Sequence, residues 1–127
     1  NNMHTIEQLE EMLAEHKEWQ GKINFYRAEI DRMKTDLASA VMTDRNHYNM
    51  PNVEHYQNQF ILQRDILDIM RHDFKQHENK IEAHSSNPVT NLAAAHQSER
   101  EKLGSFERYF KELRNEFQAF IHKEAFS

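Results

Sequence analysis

The fold is decided by a repeat of apolar residues in the first third of the chain. Residues 9–40 read LEEMLAEHKEWQGKINFYRAEIDRMKTDLASA. Large side chains recur there at alternating steps of three and four, a spacing that places them along one face of an α-helix. This face consists of Leu9, Met12, His16, Trp19, Ile23, Tyr26, Ile30, Met33, Leu37 and Ala40. Such a repeat predicts a long helix that packs as in a coiled coil.

The first helix is expected over about residues 5–42. Thr5 is a suitable N-cap, because its hydroxyl can cap the helix while the side chain of Gln8 reaches back to the Thr5 amide. Residues 43–52 read TDRNHYNMPN and predict a turn, since they collect Asp, Asn and Pro. Pro51 can begin a helix but cannot continue one, so a second helix is expected from residue 51.

Two further segments repeat the same step pattern. The second helix, expected over residues 51–84, has the face Val53, Tyr56, Phe60, Gln63, Leu67, Met70, Phe74, His77, Ile81 and His84. The third, expected over residues 88–125, begins with Asn87 as N-cap and Pro88 in the first turn. Its face is Leu92, His96, Glu99, Leu103, Phe106, Phe110, Leu113, Phe117, Phe120 and Glu124. We therefore predict an all-α fold, an antiparallel up-down-up bundle of three long helices with coiled-coil-like heptad packing.

Composition limits the class of protein. The 127 residues contain no Gly-, Pro- or Ser-rich linker, so one domain is expected over residues 3–127, with Met3 as the natural start. The net charge of −5, from 16 basic and 21 acidic residues without a basic run, predicts no nucleic-acid partner and no membrane partner. With no apolar run near the roughly 20 residues that span a bilayer, we expect a cytoplasmic protein. The chain has no cysteine, which excludes disulfides and thiolate chemistry.

The nine histidines are unusual for this length, and four of them lie on core-facing positions. Antiparallel helices of equal rise bring His16, His77, His96 and Glu99 to one level of the bundle. Imidazoles and carboxylates on facing helices are how helical bundles bind Zn, Fe or Mn. One hypothesis is therefore a metal site made of these four residues, with His84 as an outer ligand.

Two other interpretations of the same residues remain open. The first is a hydrated polar layer, in which the side chains hydrogen-bond to each other and to water and fix the helix register. Histidines kept neutral in such a layer would lose stability in acid, although a nearby Glu99 would oppose this. The second is a haem or small-ligand pocket lined by Met12, His16 and His77.

A second apolar stripe lies beside the core face of the second helix. Leu62, Ile66 and Ile69 again follow steps of four and three, and Phe25 is placed at the same level of the first helix. An outward patch across these two helices would serve as a dimer interface or a groove for a protein partner. Alternatively, the stripe faces the third helix within a wide core.

The sequence contains no motif specific enough to name an activity. Gly21 and Gly104 stand alone within helices, where we attribute them to close helix approach because neither belongs to a phosphate-binding loop. We therefore expect a non-enzymatic interaction module without a cofactor, which forms a homo-oligomer or binds a protein partner. The alternative is a metal-binding bundle with a His/Glu site at one end.

Overall fold

The computed structural model describes residues 2–83 and 89–126, nearly all of which are helical. Helix α1 spans Asn2–Thr43, α2 spans Met50–Glu82 and α3 spans Val89–Phe126, and each helix contacts the other two. The described residues contain no strand. The prediction of an all-α bundle of three long helices is confirmed. Over the described part of the chain, none of these helices is apolar enough along its length to cross a membrane.

The turn between α1 and α2 lies where the sequence predicts it. A single turn of 3-10 helix spans Arg45–His47, and the His47 imidazole lies 2.7 Å from a carboxylate oxygen of Asp44. Asn49 caps α2 through its side-chain oxygen, which accepts a hydrogen bond from the Asn52 amide at 3.3 Å. Asn49 therefore satisfies one of the free amides at the start of α2.

Of the other two predicted N-caps, one is wrong and one cannot be compared with the structure. Helix α1 begins at Asn2, so Thr5 lies inside it and the predicted cap at Thr5 is wrong. No Gly or Pro lies between Asn2 and Thr5, so nothing there stops the helix from continuing. The predicted cap of the third helix, Asn87 with Pro88, lies outside the described residues.

Helices α1 and α2 are joined by two ion pairs that reveal their relative direction. The Nε atom of Arg27 lies 3.1 Å from Oδ1 of Asp68, and Asp31 pairs with Arg64. Moving four residues forward on α1 therefore means moving four residues back on α2. Helices α1 and α2 therefore run in opposite directions.

Helices α1 and α3 show the reverse relation. Glu15 contacts His96, and Tyr26 contacts Glu107, so the residue numbers rise together along both helices. With α2 opposed to α1, the three helices follow an up-down-up path. This path places the N-terminal ends of α1 and α3 beside the C-terminal end of α2.

Burial follows the predicted core face. On α2 the buried residues are the predicted ones from Val53 to Ile81. The buried apolar residues of the three helices and the first turn form two clusters. The end cluster contains Leu9, Met12, Ile81 and Leu92. The main cluster contains Trp19, Ile23, Tyr26, Ile30, Met33, Leu37, Tyr48, Val53, Tyr56, Phe60, Leu67, Met70, Phe74, Leu103, Phe106, Phe110, Leu113 and Phe117.

Four polar residues lie between the two apolar clusters. They are His16, His77, His96 and Glu99, and all four are buried. We call this set the polar layer. Each lies in sequence between a member of the end cluster and a member of the main cluster, so apolar side chains close the layer on both sides along the bundle axis.

The two glycines do not mark close helix approach, as the sequence had suggested. A Cβ atom added at Gly21 would meet no atom within 4 Å. At Gly104 the nearest atom is Nη1 of Arg108, on the same helix, at 3.5 Å. Neither glycine is required by packing against a neighbouring helix.

Candidate metal centre

The polar layer is organised around one carboxylate oxygen. Oε1 of Glu99 lies 3.0 Å from Nε2 of His16, 3.6 Å from Nε2 of His77 and 3.9 Å from Nδ1 of His96. One ligand atom from each of the four residues lies within 4.8 Å of all the others. All three helices contribute, and α3 contributes twice because His96 and Glu99 are one helical turn apart.

The layer is almost completely removed from solvent. The exposed fraction is 3 % for His16 and His96, 8 % for His77 and 7 % for Glu99. Burying imidazole and carboxylate groups is unfavourable unless each polar atom finds a partner. The hydrogen-bonding state of each nitrogen therefore decides what the layer can do.

Two of the buried nitrogens in the layer have no hydrogen-bond partner among the residues that the structure describes. Nε2 of His16 donates to Oε1 of Glu99, whereas Nε2 of His77 and Nδ1 of His96 are unpaired. Buried polar atoms in folded proteins are nearly always paired. A metal ion would use the lone pairs of both nitrogens, and a buried water molecule would hydrogen-bond to them.

A second carboxylate fixes the protonation of His96. Nε2 of His96 lies 2.7 Å from Oε1 of Glu15 and donates a hydrogen bond to it. Arg100 holds the same carboxylate with two bonds, from Nε at 3.0 Å and from Nη2 at 2.6 Å. Because the proton sits on Nε2, the lone pair is on Nδ1, the nitrogen that faces Glu99. Carboxylates that orient a ligating histidine in this way are typical of metal sites.

The electrostatics keep the imidazoles of His77 and His96 neutral and the outer carboxylate charged. The hydrogen bond from Arg100, supported by His96, lowers the pKa of Glu15 to about 2. Burial lowers the pKa of both His77 and His96 below the ordinary value. A neutral imidazole is the form that binds metal, so these histidines need not release a proton to do so.

The outer nitrogen of His16 also faces an acidic group. Nδ1 of His16 lies 3.9 Å from Oε2 of Glu78, and the other oxygen of this carboxylate, Oε1, lies 3.6 Å from the Lys75 ammonium. A metal bound to Nε2 of His16 would leave the proton of this ring on Nδ1, the nitrogen that faces Glu78. This is a weaker version of the Glu15 arrangement.

Aromatic rings hold the imidazoles in place from the side of the main cluster. The Trp19 ring stacks on His96 with centroids 4.5 Å apart and lies 5.1 Å from His16. Phe74 lies 5.9 Å from His16. Met12, which the small-ligand hypothesis requires, packs in the end cluster.

The structure brings together the four residues that the sequence selected: His16, His77, His96 and Glu99. His84, predicted as an outer ligand, lies outside the described residues. The donor set of three imidazole nitrogens and one carboxylate oxygen suits Zn²⁺, Fe²⁺ or Mn²⁺. Two ligands of a tetrahedral zinc ion lie about 3.3 Å apart at bonds of about 2.0–2.1 Å. The observed distances to Glu99 lie on both sides of this value.

Sequence reasoning missed Glu15 and Arg100. Both lie off the core face, where charged residues usually need only be solvated. The available signal was their position, since Glu15 directly precedes His16 and Arg100 follows His96 by one helical turn. Opposite charges that flank two core histidines on neighbouring helices are a pattern that can be searched for.

The residues proposed for a partner interface do not form one patch. Leu62, Ile66 and Ile69 line a groove between α2 and α3. Ile66 packs against the main cluster, whereas Leu62 and Ile69 are about half exposed. Phe25 is not among the residues that line the groove, and its ring lies edge-on to Tyr26 at 5.6 Å. The stripe therefore lies beside α3, and the use of these residues in a partner interface stays a prediction.

Comparison of the chain with protein-family models, with curated proteins and with solved structures gives no match. The geometry of the polar layer is thus the basis on which a function can be argued.

Proposed function

We propose that this chain is a metal-binding helical bundle. Its site holds one divalent transition-metal ion through Nε2 of His16, Nε2 of His77, Nδ1 of His96 and a carboxylate oxygen of Glu99. The observation that supports this most is the convergence of four buried ligand atoms within 4.8 Å, two of which are nitrogens without a hydrogen-bond partner among the described residues. Glu15 and Arg100 orient one ligand from outside.

The donor set narrows the choice of metal to Zn²⁺, Fe²⁺ or Mn²⁺. Imidazole favours zinc and iron, and the carboxylate is compatible with all three. With four protein ligands, tetrahedral zinc is complete, whereas iron and manganese retain open positions. A metal bound only by the folded chain also stabilises it, by about 2.7 kcal/mol at a free-ion concentration of 100 times the dissociation constant.

The direct test is elemental analysis of protein purified without a chelator and without an affinity metal. We expect one equivalent of metal in the unsubstituted protein and none in the His77→Ala/His96→Ala double variant. The matched control is His55→Ala/His72→Ala, because both of these histidines are on α2 and exposed. The control should retain the metal.

Two results would contradict the proposal. One is equal metal content in the double variant and its control. The other is metal-free protein that takes up no Zn²⁺, Fe²⁺ or Mn²⁺ after dialysis against each ion. Circular dichroism checks that each variant is folded, and Glu99→Gln, which keeps the side-chain shape, replaces the double variant if that one unfolds.

The interaction-module hypothesis stays a prediction with less support. Leu62 and Ile69 are about half exposed, but Ile66 packs against the main cluster and Phe25 lies elsewhere. Light scattering over a range of protein concentrations tests self-association. A monomer at the highest concentration would contradict the homo-oligomer.

A further inference from the structure

The polar layer divides the bundle into two parts of unequal size. Among the residues that the structure describes, the end cluster consists of Leu9, Met12, Ile81 and Leu92, with Leu13 packed against it. The other buried apolar residues of the described chain all belong to the main cluster. Burial of apolar side chains is the main favourable contribution to folding. The end of the bundle beyond the layer therefore has much less apolar burial to hold its three helices together.

Helices α1 and α3 are joined across the polar layer by hydrogen bonds. Nε2 of His16 donates to Oε1 of Glu99 at 3.0 Å, and Nε2 of His96 donates to Glu15 at 2.7 Å. Arg100 donates two further hydrogen bonds to the Glu15 carboxylate. These bonds form without a metal ion, so they hold α1 to α3 in the metal-free protein.

Helix α2 is held less firmly at the same level. It contributes His77 to the layer, whose Nε2 atom lies 3.6 Å from Oε1 of Glu99 and has no hydrogen-bond partner among the described residues. Beyond the layer α2 adds Ile81 to the end cluster and ends at Glu82. We call residues 77–82 the α2 end segment. Only His77 and Ile81 of this segment are buried, so a bond to His77 would add strongly to its attachment.

The position between the ligand atoms is closed to solvent. Nε2 of His77 and Nδ1 of His96 are buried, and the side chain of His16 is 1 % exposed. The groove between α2 and α3 has His77 and Glu99 in its lining but does not expose Nε2 of His77. Zinc sites with four protein ligands are structural, whereas catalytic sites keep one position open for water or substrate. Four buried ligand atoms therefore favour a structural Zn²⁺ over Fe²⁺ or Mn²⁺, which would retain open positions.

We propose that the ion is a structural Zn²⁺ that holds the α2 end segment against α1 and α3. Bound to His77 from α2, to His16 from α1, and to His96 and Glu99 from α3, it would link the three helices at one level. Without the ion, the α2 end segment separates from the other two helices more often. This inference rests on the proposed metal site and adds the identity of the metal and its role.

The coupling between metal and segment follows from the positions of the ligands. The four ligand atoms lie within 4.8 Å of one another in the packed bundle, and separation of the α2 end segment would remove His77 from the set. An ion that binds the closed form more tightly than the open form shifts the equilibrium towards the closed form. Because the ligand nitrogens are buried, the ion also enters and leaves through the open form.

The test is hydrogen–deuterium exchange of the full chain, without metal and with Zn²⁺. Without metal, amides of the α2 end segment should exchange through local opening, and so faster than those of residues 53–60. That stretch is the reference, because it lies at the other end of α2 and carries Val53, Tyr56 and Phe60 of the main cluster. Zn²⁺ should slow exchange in the α2 end segment by up to about 100-fold when the free ion is at 100 times its dissociation constant.

A variant of the α2 ligand tests whether the link passes through His77. His77→Leu keeps a bulky side chain but removes the ligand on α2, so Zn²⁺ should no longer slow exchange in the α2 end segment. His72→Leu is the matched control, because His72 is also on α2 and is exposed. The control should retain the full effect of Zn²⁺. If His77→Leu retained it as well, the inference would be overturned.

Co²⁺ tests whether the position is closed. Co²⁺ with four ligands absorbs visible light much more strongly than Co²⁺ with six, and azide changes the spectrum wherever it can reach the ion. We expect strong absorption that azide leaves unchanged. Weak absorption, or a change with azide, would show an open coordination position and overturn the structural role.

The outcomes distinguish this inference from the proposed function. If the protein binds none of Zn²⁺, Fe²⁺ and Mn²⁺, both fail. If it binds Fe²⁺ or Mn²⁺ but not Zn²⁺, or binds Zn²⁺ without slower exchange in the α2 end segment, the metal site stands and this inference is overturned. It is also overturned if the metal-free segment exchanges as slowly as residues 53–60, because the segment would then be held without the ion.

Discussion

The main cluster and the polar layer occupy equivalent positions on the same three helices, yet their side chains are paired very differently. In the main cluster, the rings of Phe60 and Phe117 meet edge to face at 5.0 Å, and both are essentially unexposed. In the polar layer, the stacking of Trp19 on His96 is equally close, but Nε2 of His77 and Nδ1 of His96 lack a hydrogen-bond partner among the described residues. Position on the helix therefore determines burial, whereas residue type determines whether burial stabilises the fold.

This difference is informative because the polar layer is unfavourable for folding alone. Apolar side chains at the same positions would join the two apolar clusters into one continuous core. Replacing buried charged groups by well-packed apolar residues is often neutral or stabilising. A layer that lowers stability and holds its nitrogens in a converging arrangement is easier to explain by a ligand than by packing.

The largest effect is expected in the main cluster. Phe60→Ala removes a fully buried ring and should lower the free energy of unfolding by about 3–5 kcal/mol. The control is Ile61→Ala at the next, half-exposed position, where less than about 1 kcal/mol is expected. Urea denaturation measures both. Similar losses in the two variants would mean that burial on α2 does not follow the predicted face.

Filling the polar layer with leucine should have the opposite effect on the metal-free protein. The variant replaces His16, His77, His96 and Glu99 together, which removes all the buried polar groups at once. Stability should rise by about 1–4 kcal/mol, and metal binding should be lost. Urea denaturation in the presence of a chelator measures the stability, and elemental analysis measures the metal content. A marked loss of stability would show that the layer contributes to folding without a metal.

Substitution of the outer carboxylate should weaken metal binding without removing a ligand. Glu15→Gln removes the negative charge of the group that accepts the hydrogen bond from His96 Nε2, so the imidazole is oriented less firmly. We expect metal affinity to fall by about 10- to 100-fold, measured by competition with a chromophoric chelator. Glu107→Gln is the matched control, since that carboxylate also accepts a hydrogen bond from a neighbouring helix, from Tyr26. An equal effect of both variants would exclude a positioning role for Glu15.

The positions of the main cluster and of the polar layer could largely be predicted from the sequence. The alternating steps fix which face of each helix is buried, and equal helical rise fixes which residues share a level. Those two rules placed His16, His77, His96 and Glu99 together without any structural information. They work because a long, regular helix has only one rotation that buries a continuous apolar face.

The same rules fail where rotation about the helix axis matters. Phe25 and Ile69 share a level, but Ile69 lines the groove beside α3 and Phe25 does not. Similarly, Glu15 and Arg100 meet only because long side chains on the flanks of α1 and α3 reach across to each other. The sequence carries no period that signals either fact, since residues off the core face have few constraints from packing.

Acid should destabilise the metal-free protein through His77 and His96. Burial lowers both pKa values below the ordinary histidine value of 6.5, so the unfolded chain takes up protons at a higher pH than the folded chain. Stability is therefore fully present above pH 6.5 and is lost as pH falls from there towards the folded-state pKa values. Urea denaturation across this range checks it, and the leucine-filled variant should lose the dependence. Greater stability in acid would mean that the neighbouring carboxylates outweigh burial.

This acid effect is limited by opposing charges around each ring. Glu99 raises the pKa of His77, while His16, His96 and Lys80 lower it. We therefore expect the free energy of unfolding to change less with pH than it changes when leucine replaces the whole polar layer.

For His96, the hydrogen bond to Glu15 raises the pKa, while His16 and Arg100 lower it. Glu15→Gln should therefore make the metal-free protein more sensitive to acid, because it removes the group that favours the charged imidazole. The measurement is the same series of urea denaturations.

The smallest effect is expected from a glycine substitution that changes the stability of α1 but leaves metal binding at the polar layer unchanged. Gly21→Ala adds a Cβ that meets no atom within 4 Å and removes a residue with low helix propensity from the interior of α1. Stability should rise by about 0.5–1 kcal/mol, while metal affinity stays unchanged because Gly21 lies more than one turn beyond His16. Gly104→Ala, with its nearest atom at an ordinary 3.5 Å, should behave alike on α3. If Gly21→Ala altered metal affinity, the polar layer would depend on the flexibility of α1 as well as on its own side chains.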